Sequence, residues 1–194
     1  MGIKDTAYAS LFDKKDLPYL YRLAEEVRAT HNQQLVDDFN NKCQKKWNDH
    51  NPILEVGNKR IEFMQVSKAD DLIVTTGITN IIDQILGATV VRWLYISVGT
   101  GSTAPVIGQT ALTAIWSTID MSLLGWRENA GTTLKFAGVF GETKISATIT
   151  ESGVFMPSSG PMLNRNVYTF NPISHVLNAS AFVISSVIEF VPVV

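Results

Sequence analysis

The chain has 194 residues, a formal net charge of −2 and a hydrophobic content of 45%. This length suits one domain, or one domain with an attached arm. A charge so close to zero argues against a nucleic-acid-binding surface, which normally carries a basic excess. The single cysteine, Cys43, excludes an intrachain disulfide and a metal site built from several thiolates. One unpaired cysteine fits a protein that is assembled in a reducing cytoplasm.

Membrane association is not indicated by the hydropathy pattern. The first residues lack the apolar run of a signal peptide. No stretch reaches the roughly 18 consecutive apolar residues that cross a bilayer. We therefore expect neither a membrane nor a nucleic acid as partner.

The first part of the chain is predicted to be helical. Residues 1–15 show no firm pattern, but Asp16 followed by Pro18 resembles a helix N-cap with an early-turn proline. Apolar residues then recur at spacings that are mostly three and four, typical of one helix face. This pattern predicts one long helix, or two consecutive ones, over 18–47, ended by the polar cluster 48–52. The apolar positions are Leu20, Leu23, Ala24, Val27, Leu35, Phe39, Cys43 and Trp47.

We predict that residues 1–52 form a helical N-terminal arm. Its apolar face is expected to dock either on a neighbouring subunit or on the sheet of its own chain. His31 interrupts the face and is interpreted as a helix-surface histidine, because no second metal ligand follows at i+4. The candidate interface residues are Leu20, Val27, Leu35, Phe39 and Trp47.

The rest of the chain, 53–194, reads as a β-rich domain. Isoleucines at i, i+3, i+4 and i+7 predict a short packing helix at 76–87. A β-branched and aromatic run follows at 90–98, and 112–124 is compatible with either strand or helix. Further strands are predicted at 134–140, 145–149, 162–170 and 182–190, separated by turn signals.

Several short strands at this spacing indicate a sandwich or a barrel. We predict an α+β, mainly β fold, with an antiparallel, jelly-roll-like β-sandwich at 77–194.

The glycine-rich stretch that begins at Gly99 has two interpretations. Glycines let backbone N–H groups approach an anion, which favours a phosphate site. However, the stretch lacks the Gly-Lys-Ser/Thr ending of a phosphate loop, Pro105 follows closely, and no βαβ unit surrounds it. A structural turn is therefore the preferred interpretation.

No catalytic constellation is visible. Glu151 has no second carboxylate or histidine placed to help it, and His175 alone makes no triad with Ser97 or Ser152. We predict no catalytic residue, no cofactor and no metal. Trp93, Trp116 and Trp126 fit either a ligand platform or core packing. The candidate structural-turn residues are Gly99, Gly101, Pro105, Glu151 and Gly153.

Five segments occur in an order and spacing that resemble a known module. They are 98–105 (VGTGSTAP), 109–112 (QTAL), 149–155 (ITESGVF), 162–165 (MLNR) and 171–173 (NPI). Together they resemble a structural module of tailed-bacteriophage virion proteins, of the tail, fibre-adaptor or head-decoration type. The resemblance covers a little over half of the chain.

This resemblance implies a non-enzymatic role in building or decorating a virus particle. The loops 99–110 and 157–161 are then expected at contacts or at the particle surface. It implies other virion proteins as partners, a homo-oligomer such as a trimer, and location in the virion after assembly in the host cytoplasm. The alternative function is that of a receptor- or carbohydrate-binding β-sandwich, because exposed loops on a sandwich serve that use well.

Overall fold

The computed structural model describes residues 2–87, 92–141, 146–156 and 160–191. Parts of four sequence predictions lie outside these residues. They are the strand start at Val90 and Val91, part of the turn between the predicted strands 134–140 and 145–149, the strand start at Ile145, and 157–159 of the loop 157–161.

Strands dominate the described part of the chain. The helices are α1 (Leu17–Thr30), α2 (Gln33–Trp47), α3 (Thr75–Ile85) and α4 (Met121–Leu124), with a 3₁₀ turn at Lys14–Asp16. The strands are β1 (Gly2–Asp13), β2 (Ile53–Val56), β3 (Lys59–Glu62), β4 (Gln65–Lys68), β5 (Asp70–Ile73), β6 (Tyr95–Gly99), β7 (Ile115–Asp120), β8 (Gly125–Ala130), β9 (Thr133–Phe140), β10 (Ala147–Ile149), β11 (Glu151–Phe155), β12 (Met162–Val167), β13 (Ile173–His175) and β14 (Ser180–Val191).

Two five-stranded antiparallel sheets form the sandwich. The first sheet has the order β4-β1-β14-β9-β8, and the second has the order β5-β12-β11-β6-β7. Two small pairs, β2-β3 and β10-β13, lie beside them. The chain passes between the sheets at the β4–β5, β7–β8, β9–β11 and β12–β14 connections. The predicted α+β, mainly β fold class is confirmed.

The predicted helical arm requires a correction at its beginning. Residues 2–13 form β1, which lies inside the first sheet and pairs with β14 along its whole length and with β4 near its end. Ala7 and Ala9 face the second sheet, whereas Tyr8 and Phe12 face the helices. Both faces of β1 are therefore covered, and such a strand lacks the apolar–polar alternation that identifies a half-buried strand.

The helices α1 and α2 form a layer on the outer face of the first sheet. The predicted 18–47 helix is divided at His31, which adopts a left-handed conformation with φ of 50°. Asn32 then caps α2 by accepting a hydrogen bond from the Gln34 backbone N–H. The side chain of Arg28 donates to the Gly125 carbonyl at 2.7 Å and joins α1 to β8. The helices are thus attached to the sheet by polar contacts as well as by apolar packing.

The strand β14 shows how the layers share their cores. Phe182, Ile184 and Ile188 pack between the two sheets. Ala181 and Val183 point the other way, into the core beneath the helices. The molecule therefore has three layers, in the order helices, first sheet and second sheet.

The structure resolves one ambiguity of the sequence and contains the predicted packing helix. The 112–124 segment contains the strand β7 followed by the one-turn helix α4. The short packing helix is present as α3, and Gly87 just beyond it adopts a positive φ of 71°, as expected for a helix C-terminus. Val74 occupies the N-cap position of α3, and no side chain caps the start of this helix.

Candidate functional site

The candidate interface residues lie against the first sheet of the same chain. Leu20, Val27 and Phe39 are buried in the core beneath the helices. Leu35 and Trp47 are partly buried against the same core. The apolar face of the helices therefore packs on the sheet of its own chain, which was one of the two docking surfaces expected from the sequence.

The structural-turn residues meet around one buried ion pair. Glu151 begins β11 and Arg165 lies in the adjacent strand β12, and both side chains are fully buried. The Arg165 Nη2 and Nε atoms donate to Glu151 Oε2 at 2.7 and 2.9 Å. We call Gly99, Gly101, Gln109, Glu151 and Arg165 the corner cluster.

Glu151 also holds the loop that follows β6. Its carboxylate accepts hydrogen bonds from the backbone N–H groups of Gly101, Thr113 and Ala114 at 3.2, 3.1 and 2.8 Å. These N–H groups lie at the two ends of the 101–114 loop. One carboxylate therefore closes the loop, and its charge is balanced by the adjacent guanidinium.

Arg165 binds the inside of the same loop with its remaining donors. Nη1 donates to the Gln109 Oε1 atom at 3.0 Å and to the Ala104 carbonyl at 3.3 Å. Nη2 donates to the hydroxyls of Thr113 and Thr103 at 2.9 and 3.3 Å. A buried guanidinium with partners on every side has the satisfied geometry that keeps such a pair stable.

The glycines at the corner are required by close approach. A Cβ atom at Gly101 would lie 2.5 Å from Glu151 Oε1 and 2.7 Å from Thr113 Cβ. A Cβ atom at Gly99 would lie 2.6 Å from the same carboxylate oxygen. Both glycines therefore make room for the Glu151 side chain, which is a steric requirement and not one for positive φ.

Pro105 and Gly153 have less direct roles. Pro105 is half-buried within the loop, between two residues that take part in its hydrogen bonds. Gly153 lies on β11 directly opposite Arg165, where a Cβ atom would lie 2.7 Å from the Asn164 carbonyl. The structure thus groups Gly99, Gly101 and Glu151 and places the other two at the edge of the cluster.

The tip of the 101–114 loop exposes two apolar side chains. Val106 is 58% exposed and Ile107 is 55% exposed. The Val106 N–H donates to Gln109 Oε1 at 2.8 Å, and the Ile107 carbonyl accepts from the Thr75 N–H at 2.7 Å. The loop tip is therefore held in place from two sides while its apolar side chains face solvent.

A second buried polar cluster crosses the sandwich next to Arg165. Asn164 Nδ2 donates to Asp5 Oδ2 at 2.7 Å and to Ser186 Oγ at 3.0 Å, which joins β12 to β1 and β14. Burial raises the pKa of Asp5 to about 6, although the hydrogen bonds from Asn164 and Ser186 oppose this change. Neither Arg165 nor Asp5 was assigned a role from the sequence. For Arg165 the available signal was a lone charged residue in a strand that otherwise lacks charge. Asp5 has no such signal, because β1 also contains Lys4 and Asp13.

The tryptophans do not form a common platform. Trp126 is buried beneath the helices, where its ring meets Phe39 edge-on at 5.4 Å between centroids. Trp116 packs between His175 and Phe182, at 5.7 and 6.3 Å. Trp93 is buried on the inner side of the sandwich. These rings are used mainly in packing, and core packing was one of the two interpretations given for them in the sequence analysis.

The histidines and the cysteine take part in local contacts. His31 Nδ1 lies 3.0 Å from Glu128 Oε1, and His175 Nδ1 lies 3.0 Å from the Ser180 hydroxyl. Cys43 is buried beside the Ser10 hydroxyl, and burial raises its pKa to about 12. Within the described ranges, no three His, Cys, Asp or Glu side chains are placed to hold one metal ion together. In the same ranges, no helix has the length and apolar character needed to cross a bilayer.

Comparison of the chain with family models, with curated proteins and with solved structures found no match.

Proposed function

We propose that this chain is a non-enzymatic structural protein of a tailed-virus particle. It joins or decorates the virion, at the tail, neck, fibre adaptor or capsid, through contacts with other virion proteins and with copies of itself. The location is the virion, after assembly in the host cytoplasm.

One observation carries this proposal. Four of the five segments that resemble the virion module lie in two separate stretches of the chain, 98–112 and 149–165, and converge on the corner cluster. The 98–105 segment supplies Gly99 and Gly101, 109–112 supplies Gln109, 149–155 supplies Glu151, and 162–165 supplies Arg165. The resemblance therefore follows a connected set of contacts, and those contacts position a loop and create no reactive group.

The loop that the corner cluster positions supports a role in protein–protein contact. Val106 and Ile107 lie exposed at its tip, whereas its base is bonded to two buried charged side chains. A loop that is already ordered loses less conformational entropy when a partner binds. Exposed apolar side chains on such a loop are suited to the centre of a small interface.

The first experiment measures assembly by size-exclusion chromatography with light scattering on the full chain. We expect a defined homo-oligomer or, with candidate virion proteins added, a defined complex. Val106→Asp with Ile107→Asp should weaken it, because two buried charges would oppose the interface. Met64→Asp, at an equally exposed apolar residue in the β3–β4 turn, is the matched control and should leave assembly unchanged.

The second experiment separates the structural role from carbohydrate or receptor recognition. The full chain is screened on a glycan array, and purified particles from the source virus are analysed by mass spectrometry. Presence in the particle without glycan binding agrees with the proposal. A monomer that binds a glycan and is missing from particles would replace it with the binding-module function. Capsid, portal and tail genes beside this gene would give independent support.

A further inference from the structure

A cavity of about 630 Å³ opens at one end of the sandwich. One wall is the inner face of β8, β9 and β14. The other wall is formed by α3 and by residues 92–93. Its volume falls within the 300–1,000 Å³ range of small-molecule sites. The residues that line it are His31, Ile81, Gln84, Arg92, Trp93, Arg127, Glu128, Asn129, Thr132, Leu134, Phe136 and Phe190.

The floor of the cavity is apolar and largely aromatic. Trp93 and Phe136 are buried members of the core between the sheets, and Leu134, Phe190 and Ile81 are partly buried against it. These side chains belong to different elements, so the floor is held by the sandwich itself. A cavity of this volume with a mainly apolar and aromatic lining is typical of small-molecule sites. A small ligand therefore fits it better than a folded partner.

The rim of the cavity carries two arginines. Arg127 points toward the cavity side of β8, because its neighbours Trp126 and Glu128 point toward the helices. Arg92 lies on the opposite wall and is exposed. Neither guanidinium forms an ion pair with any residue that the structure describes. Both arginine side chains therefore remain available for an anion. Guanidinium groups bind carboxylates through paired N–H donors.

One acidic side chain, Glu128, is also among the lining residues. Its carboxylate is already bonded to His31 Nδ1 at 3.0 Å and to Gln33 Nε2 at 3.3 Å. Those partners lie on the helix side of β8, away from the apolar floor. The free charge that faces an occupant of the cavity is therefore positive.

We propose that this cavity binds a small amphipathic carboxylate, a single carboxylate attached to an apolar chain or ring. The carboxylate lies between Arg92 and Arg127, and the apolar body lies on Trp93, Phe136 and Phe190. Binding of this kind is independent of the structural role proposed above.

Isothermal titration calorimetry of the full chain with sodium dodecanoate, kept below its micelle concentration, tests this site. We expect one molecule bound per chain. Dodecyltrimethylammonium has the same tail with a positive head, and acetate has the head without the tail, so both should bind at least about tenfold more weakly. The double variant Arg92→Glu, Arg127→Glu should weaken dodecanoate binding by at least about tenfold. Arg60→Glu, on the exposed β2–β3 hairpin, is the matched control and should bind as the unaltered chain does.

Three results would overturn the proposal. One is the absence of dodecanoate binding by the unaltered, folded chain. Another is equal binding of the anionic and cationic amphiphiles, which would indicate adsorption to apolar surface without recognition of the head group. The third is a double variant Arg92→Glu, Arg127→Glu that binds dodecanoate as the unaltered chain does but has a different oligomeric state. That result would indicate that the cavity is occupied by a second copy of the chain. The comparison of the two head groups uses only the unaltered chain, so it decides the question even if the double variant fails to fold.

Discussion

Replacing Arg165 with methionine would remove the guanidinium and keep a side chain of similar length. Glu151 would then remain buried without its counter-ion, and the six hydrogen bonds donated by Arg165 would be lost. Removing one partner of a buried ion pair typically costs about 3–5 kcal/mol. Stabilities of native domains are about 5–15 kcal/mol, so we expect Arg165→Met to reduce the free energy of unfolding by a large fraction.

The double variant Glu151→Gln, Arg165→Met separates the buried charge from the lost packing. Glutamine keeps one side-chain oxygen, which can accept from the Gly101 and Ala114 N–H groups that bond to Oε1 in the unaltered chain, and it leaves no charge in the core. Its amide nitrogen cannot accept from the Thr113 N–H, so that one hydrogen bond is lost. We therefore expect the double variant to be more stable than Arg165→Met alone by about 1–3 kcal/mol.

Equilibrium urea unfolding at constant pH measures both variants, with Arg60→Met on the exposed hairpin as the control. The control should change stability by less than about 0.5 kcal/mol. Hydrogen exchange should show faster exchange of the Thr113 and Ala114 amides in Arg165→Met. The reasoning would be refuted by a loss below about 1 kcal/mol in Arg165→Met, or by a double variant that is less stable than the single one.

Three further predictions concern other parts of the molecule. The Asp5 pKa of about 6 exceeds the ordinary 3.8, so the stability that this group contributes is complete below pH 3.8 and is lost as pH rises to 6. Urea unfolding of the unaltered chain and of Asp5→Asn should show that the unaltered chain loses about 1–2 kcal/mol of stability relative to the variant between pH 4 and 7. The change in the pKa of Asp5 corresponds to at most about 3 kcal/mol, and the half-buried position of this residue reduces that value. A stability difference that is independent of pH would contradict the assignment. The Cys43 thiol, with its pKa of about 12, should react with a disulfide reagent only after unfolding, and rapid labelling of the native chain would show that the site is accessible. Gly99→Val or Gly101→Val should impair folding or assembly, read by circular dichroism and light scattering, and normal behaviour of both variants would refute the steric account of the corner.

Local patterns predicted the elements that have one covered face or distinct ends. The apolar stripe of α1 and α2, the isoleucine face of α3 and the turn at Gly99 were all recognisable, because each has a periodicity or a breaker residue. The strand β1 was missed, because the alternating faces that contain Ala9 and Ser10 are both buried. Its location depends on pairing with β14, about which local sequence carries no information.

The corner cluster also contains some residues that the local sequence identifies and others that only long-range strand pairing defines. Glu151 and the glycines were assigned to a structural turn from their own surroundings. Arg165 was not, because its role depends on the antiparallel register of β11 and β12, which sets Gly153 opposite Arg165 and brings the guanidinium to Glu151. The cavity was also not predictable, because Phe136, Trp93 and Arg127 belong to three elements whose approach only the folded chain defines.

The pairing of β1 with β14 has a consequence for how the protein is made. Gly2 pairs with Val191 and Asp13 pairs with Ser180, so the paired residues are between 167 and 189 positions apart in the sequence. Until β14 emerges, β1 has only the short strand β4 as a partner in its sheet, so its other edge stays unpaired. Completion of the first sheet therefore waits for the synthesis of residues 180–191 and depends on long-range contacts, which slows folding and exposes apolar surface to aggregation. During synthesis, β1 is the segment that a chaperone would have most reason to shield.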